Sequence, residues 1–89
     1  MTKIYIYCLF DRQDTFHGVY SSLKAVHRDA LKIANRGNSD VVMHAPFLDK
    51  TDRATLTGLR NAFKGACDVQ VQYKCGAYLA KILKMKLKE

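Results

Sequence analysis

The sequence has little of what marks a disordered chain, a membrane protein or a secreted domain. It contains one Pro and five Gly among 89 residues and no low-complexity tract, which argues for a folded chain. Its apolar runs are all shorter than the roughly 18 to 20 residues that a membrane span requires. The N-terminus lacks the basic and then apolar layout of a secretory signal, so we expect a cytoplasmic protein without a membrane partner.

Cysteine and histidine are too few and too scattered to indicate a metal centre. Cys67 and Cys75 are eight residues apart, and the histidines are isolated, at His17, His27 and His44. With Cys8 the cysteines number three, an odd count, and they fall in predicted strands or at element ends, as small buried residues do. We expect no disulfide, no metal and no cofactor.

Catalytic motifs are also missing. No cysteine lies in a recognisable reactive context, and the glycines are too dispersed to form a phosphate-binding loop or a dinucleotide turn. Asp11 and Asp14 flank a predicted turn, where Asp is favoured because it caps the backbone. The sequence therefore predicts a protein that binds a partner and is not an enzyme.

The strand patterns are those of a small, well-covered sheet. With 48% apolar residues, the chain predicts one domain over residues 1–89. Runs rich in β-branched and aromatic residues, or strictly alternating, predict four strands. These are Lys3 to Phe10, Thr15 to Tyr20, Asp40 to Ala45 and Asp68 to Cys75.

Apolar spacings of three and four residues predict three helices between and after these strands. The first runs from Leu23 to Asn35 and stops at Arg36-Gly37-Asn38, the second ends at about Lys64 and Gly65, and the third runs from Ala77 onward. The predicted fold is α+β, in the order β-β-α-β-α-β-α. It has a four-stranded mixed sheet with the helices packed on it.

The charge balance is the strongest compositional signal. Fifteen Lys and Arg against eight acids give a net charge of +7, which favours nucleic acid or an acidic host protein as partner. On the first helix four cations recur at four-residue intervals and predict one basic ridge, formed by Lys24, Arg28, Lys32 and Arg36. The ordinary alternative is a solvated helix face opposite an apolar stripe.

Further cations extend this candidate surface. Arg60 and Lys64 lie four residues apart on the second helix. The predicted third helix carries Lys81, Lys84 and Lys88, for which a solubilising C-terminal segment is the more ordinary interpretation.

Two features suggest other contacts. Tyr5 and Tyr7 are candidates for base stacking if they lie on an open sheet face, although tyrosines in a first strand more often belong to a core or a dimer interface. The run from Val69 to Cys75 has one polar face and predicts a strand near a sheet edge, which would allow a homodimer by strand pairing.

The stretch Asp14-Thr15-Phe16-His17-Gly18-Val19-Tyr20-Ser21-Ser22 follows a Tyr-rich strand and precedes an amphipathic helix. With this pattern, the first third of the chain, about residues 3–34, resembles the N-terminal part of many small, largely uncharacterised bacteriophage accessory proteins. The resemblance implies a phage-encoded product of the bacterial cytoplasm, and such products commonly act on host machinery or host defence. We therefore expect a regulatory or counter-defence protein that binds DNA or RNA through the basic ridge. The alternative is a stoichiometric inhibitor of a host toxin, nuclease or polymerase.

Overall fold

The computed structural model describes residues 4–35 and 40–87, in which one sheet is covered on one side by two helices. The elements are β1 (Tyr5–Asp11), β2 (Phe16–Tyr20), α1 (Leu23–Ala34), β3 (Val42–Ala45), a 3₁₀ turn (Pro46–Leu48), β4 (Lys50–Arg53), α2 (Leu56–Phe63), β5 (Val69–Cys75) and β6 (Tyr78–Lys86).

The sheet is antiparallel and has six strands in the order β2-β1-β6-β5-β3-β4. The predicted α+β class is confirmed. The predicted four-stranded mixed sheet with three helices is wrong, because the structure has two strands more and one helix fewer in its described part.

The third predicted helix is strand β6. Leu79, Ile82 and Leu83 fit a helical spacing, yet Ala80 and Ile82 also alternate as a strand requires, and both are fully buried. Seven residue pairs join β6 to β1 and seven join it to β5. This pairing outweighs the local helix preference of a lysine-rich segment.

β4 lies shortly before the second helix, in a stretch where the sequence predicted no strand. Its residues, Lys-Thr-Asp-Arg, are polar and exposed, so no apolar pattern marks the strand. It pairs with β3 after the 3₁₀ turn, where Asp49 takes a left-handed φ of 48°. β4 is thus a short, charged edge strand, a type that resists pairing with other chains.

β5 is an interior strand with β6 on one side and β3 on the other. The prediction that Val69 to Cys75 lies near an edge, and the dimer by strand pairing that depended on it, are therefore wrong. Its polar residues face outward because this side of the sheet carries no helix, and the strand itself has no free edge.

Both helices lie on the same side of the sheet. Ser22 caps α1, its hydroxyl accepting from the Ala25 amide at 3.3 Å, and Thr55 caps α2 in the same way. The core forms where their apolar faces meet the sheet, around fully buried side chains that include Val26, Leu59, Phe63, Val71 and Tyr73.

Strand register divides the remaining positions between the two sheet faces. Tyr7, Leu9, Val71 and Tyr73 point toward the helices. Their neighbours Cys8 and Leu83, which lie opposite each other, point outward. The outer face carries no helix or strand of the described chain.

Candidate nucleic-acid interface

Helix α1 presents three cations to solvent. Its buried side is made by Val26, Ala30 and Ala34, at four-residue steps. The three cations at the same step on the outer side are exposed, and we call them the α1 ridge: Lys24, Arg28 and Lys32. The side chains of Arg28 and Lys32 are 64% and 73% exposed. Arg36, the fourth predicted member, lies outside the described residues.

One carboxylate lies within this ridge. Asp29 accepts a hydrogen bond from the Tyr20 hydroxyl at 2.7 Å and another from Arg28 Nε at 3.1 Å, and Lys32 Nζ is 3.9 Å away. The Tyr20 bond and then the Arg28 bond hold the pKa of Asp29 below its ordinary value. Asp29 is therefore ionised at neutral pH and offsets part of the ridge charge.

Arg60 and Lys64 are exposed at the end of α2, where Lys64 is the residue after the last helical turn. α1 and α2 contact each other on one side of the sheet, so these cations belong to the same helical layer as the α1 ridge. The structure therefore places both predicted helical sets in one layer.

The predicted C-terminal cluster of Lys81, Lys84 and Lys88 does not form, as far as the structure describes it, because Lys81 and Lys84 point to opposite faces of the sheet. Lys84 points inward, is 8% exposed, and donates to the Phe63 carbonyl at 2.8 Å. Lys81 points outward and pairs with Asp14 in the β1–β2 turn. Successive strand residues alternate in direction, which separates cations that a helix would have grouped. Lys88 lies outside the described residues.

The predicted tyrosines lie on the helix side of the sheet. Tyr7 is 8% exposed and packs against Phe63, with ring centroids 5.8 Å apart. Burial raises its pKa. Tyr5 is half-buried, and Lys84 Nζ lies 4.3 Å from its ring centroid. Neither ring is on the open face where base stacking was expected.

The open face instead carries a continuous set of apolar side chains on β2, β1 and β6. We call it the apolar strip, and it consists of Ile4, Ile6, Cys8, Phe10, Phe16, Val19, Leu83 and Met85. The rings of Phe10 and Phe16 contact each other at 5.5 Å. The alternation of Ile4, Ile6, Cys8 and Phe10 was visible in the sequence, but nothing there showed which face the helices leave open.

The other half of the open face, on β5, β3 and β4, is polar except for Val42. Its outward residues are Gln70, Gln72, Lys74, Val42, His44, Thr51 and Arg53. His44 Nδ1 lies 2.9 Å from Thr51 Oγ1, and Arg53 pairs with Asp40. This half is ordinary solvated sheet.

A shallow cavity of about 410 Å³ lies at one end of the sheet, lined by Asp11, Arg12, His17, Ile33 and Tyr78 among others. His17 Nε2 is 3.0 Å from the Asp11 carboxylate, which also accepts from the amides of Gln13 and Thr15. The His17 bond is the main reason that the pKa of Asp11 is lowered. These bonds hold the β1–β2 turn, as predicted for Asp11.

The remaining titratable groups of interest are structural. The Tyr73 hydroxyl and His27 Nδ1 are 2.6 Å apart beneath α1. Burial lowers the pKa of His27 and raises that of Tyr73, so this hydrogen bond joins a neutral ring to an un-ionised hydroxyl at neutral pH. No disulfide joins the three cysteines, and residues 4–35 and 40–87 hold no group of three or more potential metal ligands.

Helices α1 and α2, the two in the described part, are both too short to cross a membrane. No protein-family model, no curated protein and no solved structure matches this chain.

Proposed function

We propose that the chain is a small regulatory or counter-defence protein of the bacteriophage type that acts by binding nucleic acid through the α1 ridge. The observation that carries the proposal is the exposure of Lys24, Arg28 and Lys32 along one solvent-facing line of a helix whose opposite side is buried.

The spacing of the ridge suits a phosphate backbone. Four residues of helix advance by about 6 Å, so Lys24 and Lys32 are about 12 Å apart along the axis. A line of cations of that length reaches several phosphates of one strand, which are spaced by a few ångströms. Arg60 and Lys64 add charge in the same helical layer.

The α1 ridge is better suited to binding an extended polyanion than a small anion. The ridge cations are largely exposed and make no enclosed pocket, so each contributes little to binding a single ion. Many weak contacts to a repeating charge add up, since each phosphate that is neutralised releases a counterion.

The test is fluorescence anisotropy with labelled duplex DNA, duplex RNA and single strands, titrated at several salt concentrations. We expect the affinity for duplex DNA to fall linearly on a log–log plot, with a slope of about −3 for three phosphate contacts. The variant Lys24→Glu/Arg28→Glu/Lys32→Glu should lose binding.

The matched control is Lys50→Glu/Lys74→Glu/Lys86→Glu. It alters net charge equally at three exposed strand positions. Equal loss in both triple variants would show that overall charge, and no particular surface, drives binding. The absence of binding to all of these nucleic acids would contradict the proposal and favour the host-protein inhibitor, whose apolar interface would respond little to salt.

A further inference from the structure

The apolar strip is unusual for a face that no other element covers. An antiparallel sheet with one wet face alternates apolar and polar residues, as β5 does with outward Gln70, Gln72 and Lys74. β1 is apolar on both faces. At the ends of the strip, Ile4, Phe16 and Val19 are 48%, 54% and 56% exposed.

The strip is comparable in size to the largest apolar patch of a typical soluble monomer. Three strands about 4.8 Å apart and about 20 Å long cover roughly 300 Å² in plan. Contiguous apolar patches of this size on soluble proteins are commonly contact surfaces.

The lack of positive charge on the strip argues against nucleic acid as its binding partner. The eight residues of the strip include no cation, and the nearest outward cation on β6, Lys81, is paired with Asp14 of the same chain. A phosphate backbone crossing the strip would find no positive charge to neutralise it. An uncharged, apolar protein surface fits better.

We propose that the strip binds the same strip of a second copy, forming a symmetric dimer whose two-fold axis runs parallel to β1. A two-fold interface brings identical patches together, so the apolar strip of one copy packs against the apolar strip of the other. With this axis β1 faces β1 of the second copy and β2 faces β6.

The same geometry keeps the net positive charge from opposing the dimer strongly. Lys74 and Arg53 lie on the polar half of the open face, at β5 and β4. Strip-on-strip packing places the two polar halves at opposite ends, where they do not face each other. Only the neutralised Lys81–Asp14 pairs lie at the rim.

The small contact area sets the strength of the dimer. Two strips bury roughly 600 Å² in plan, well below the about 1,200 Å² of ordinary specific complexes. An area of this size suits a weak, transient dimer, for which we expect a Kd in the micromolar to millimolar range. The dimer places the two α1 ridges on opposite outer surfaces, so that one dimer presents two separate basic faces.

Sedimentation velocity across that concentration range tests the proposal. The weight-average mass should rise from 10.1 kDa toward twice that value. Raised salt should strengthen association, because burial of apolar surface drives it and cation repulsion is screened. This sign is opposite to that expected for nucleic-acid binding.

Leu83→Glu should raise the dimer Kd by more than about a hundredfold, because it buries an unpaired carboxylate within the strip, beside Cys8 of β1. The control Gln72→Glu adds the same carboxylate to the polar half of the same face and should leave the Kd within about threefold. Leu83 points away from the core, and thermal unfolding verifies that both variants fold.

Three outcomes overturn the dimer. The first is a wild-type chain that stays monomeric over the whole concentration range, and the second is a dimer that Leu83→Glu does not weaken. The third is a monomer that binds single-stranded oligonucleotide and whose binding is abolished by Phe10→Ala. The last would assign the strip to base stacking. The triple α1 ridge variant should dimerise at least as well as the wild type, because it keeps the strip and lowers the net positive charge, so failure of the dimer and failure of the proposed function are separate results.

Discussion

Lys84 of β6 donates from its ammonium group to the main-chain carbonyl of Phe63 at the end of α2, at 2.8 Å. The lysine is 8% exposed, so its aliphatic stem is part of the packing between sheet and helix. The Phe63 carbonyl also accepts from the Ala66 amide at 3.0 Å, so it keeps one partner if the lysine is lost.

Replacing this lysine with an apolar side chain of similar length should cost little. Lys84→Met should lower the free energy of unfolding by only about 1 kcal/mol, because the Phe63 carbonyl stays bonded and the buried volume is kept. Lys84→Glu should cost more than about 3 kcal/mol, because it places an unpaired carboxylate beside that carbonyl. Urea unfolding measures both. Nucleic-acid affinity should be unchanged in Lys84→Met. A loss of affinity in this variant would show that Lys84 contributes to nucleic-acid binding.

The turn between β5 and β6 gives a second prediction. Gly76 has a φ of 60°, and nothing lies within 4 Å of where its Cβ would be. Gly76→Ala should therefore lower the free energy of unfolding by about 1 to 2 kcal/mol through backbone strain alone. Gly76→Asn should cost about half as much, because Asn tolerates the left-handed region. Equal losses in the two variants in thermal unfolding would contradict this explanation.

The segment that follows Gly76 is where the prediction of the fold from the sequence failed. The helix from Leu23, the first hairpin and β5 follow from local patterns and were predictable. β6 was not, because Leu79, Ile82 and Leu83 match a helical spacing as well as a strand spacing. The choice between them depends on β1, some seventy residues earlier, having an unpaired side. Long-range pairing of this kind leaves no local signal.

The site was predictable only in part, for a related reason. The α1 ridge follows from helical spacing, and the structure exposes its three described members. Lys81 and Lys84 were grouped because a helix was assumed, and on a strand they point apart. Strand alternation in the sequence separates Tyr5 and Tyr7 from Ile4 and Ile6, but which set faces the helices depends on tertiary packing.

Stability toward acid should depend on His27. Its pKa is lowered by burial beneath α1, so the unfolded chain binds a proton more readily than the folded one. The free energy of unfolding should accordingly fall as pH drops below about 6.5, by at most about 1.4 kcal/mol per pH unit. Asp11 and Asp29, whose pKa values are also lowered, contribute only at lower pH, near and below their ordinary value of 3.8.

The comparison of His27→Gln with Tyr73→Phe isolates this effect. His27→Gln should remove the change near pH 6 in urea unfolding, while Tyr73→Phe keeps the buried imidazole and should retain it. An unchanged pH profile in His27→Gln would show that another group titrates there.

Asp29 gives the sharpest test of the α1 ridge. Among the described residues, its carboxylate alone is bonded to Arg28 and close to Lys32, so it weakens the attraction of the ridge for an anion. Asp29→Asn removes the charge but can still accept from the Tyr20 hydroxyl, which preserves the contact between β2 and α1. Affinity for duplex DNA at low salt should rise by about two- to fivefold, and the gain should shrink as salt is raised. Asp52→Asn, on the exposed edge strand β4, makes the same change in net charge away from the ridge and should leave affinity nearly unchanged. Equal gains in the two variants would mean that nucleic acid responds to total charge, whereas a gain confined to Asp29→Asn requires the anion to lie against α1.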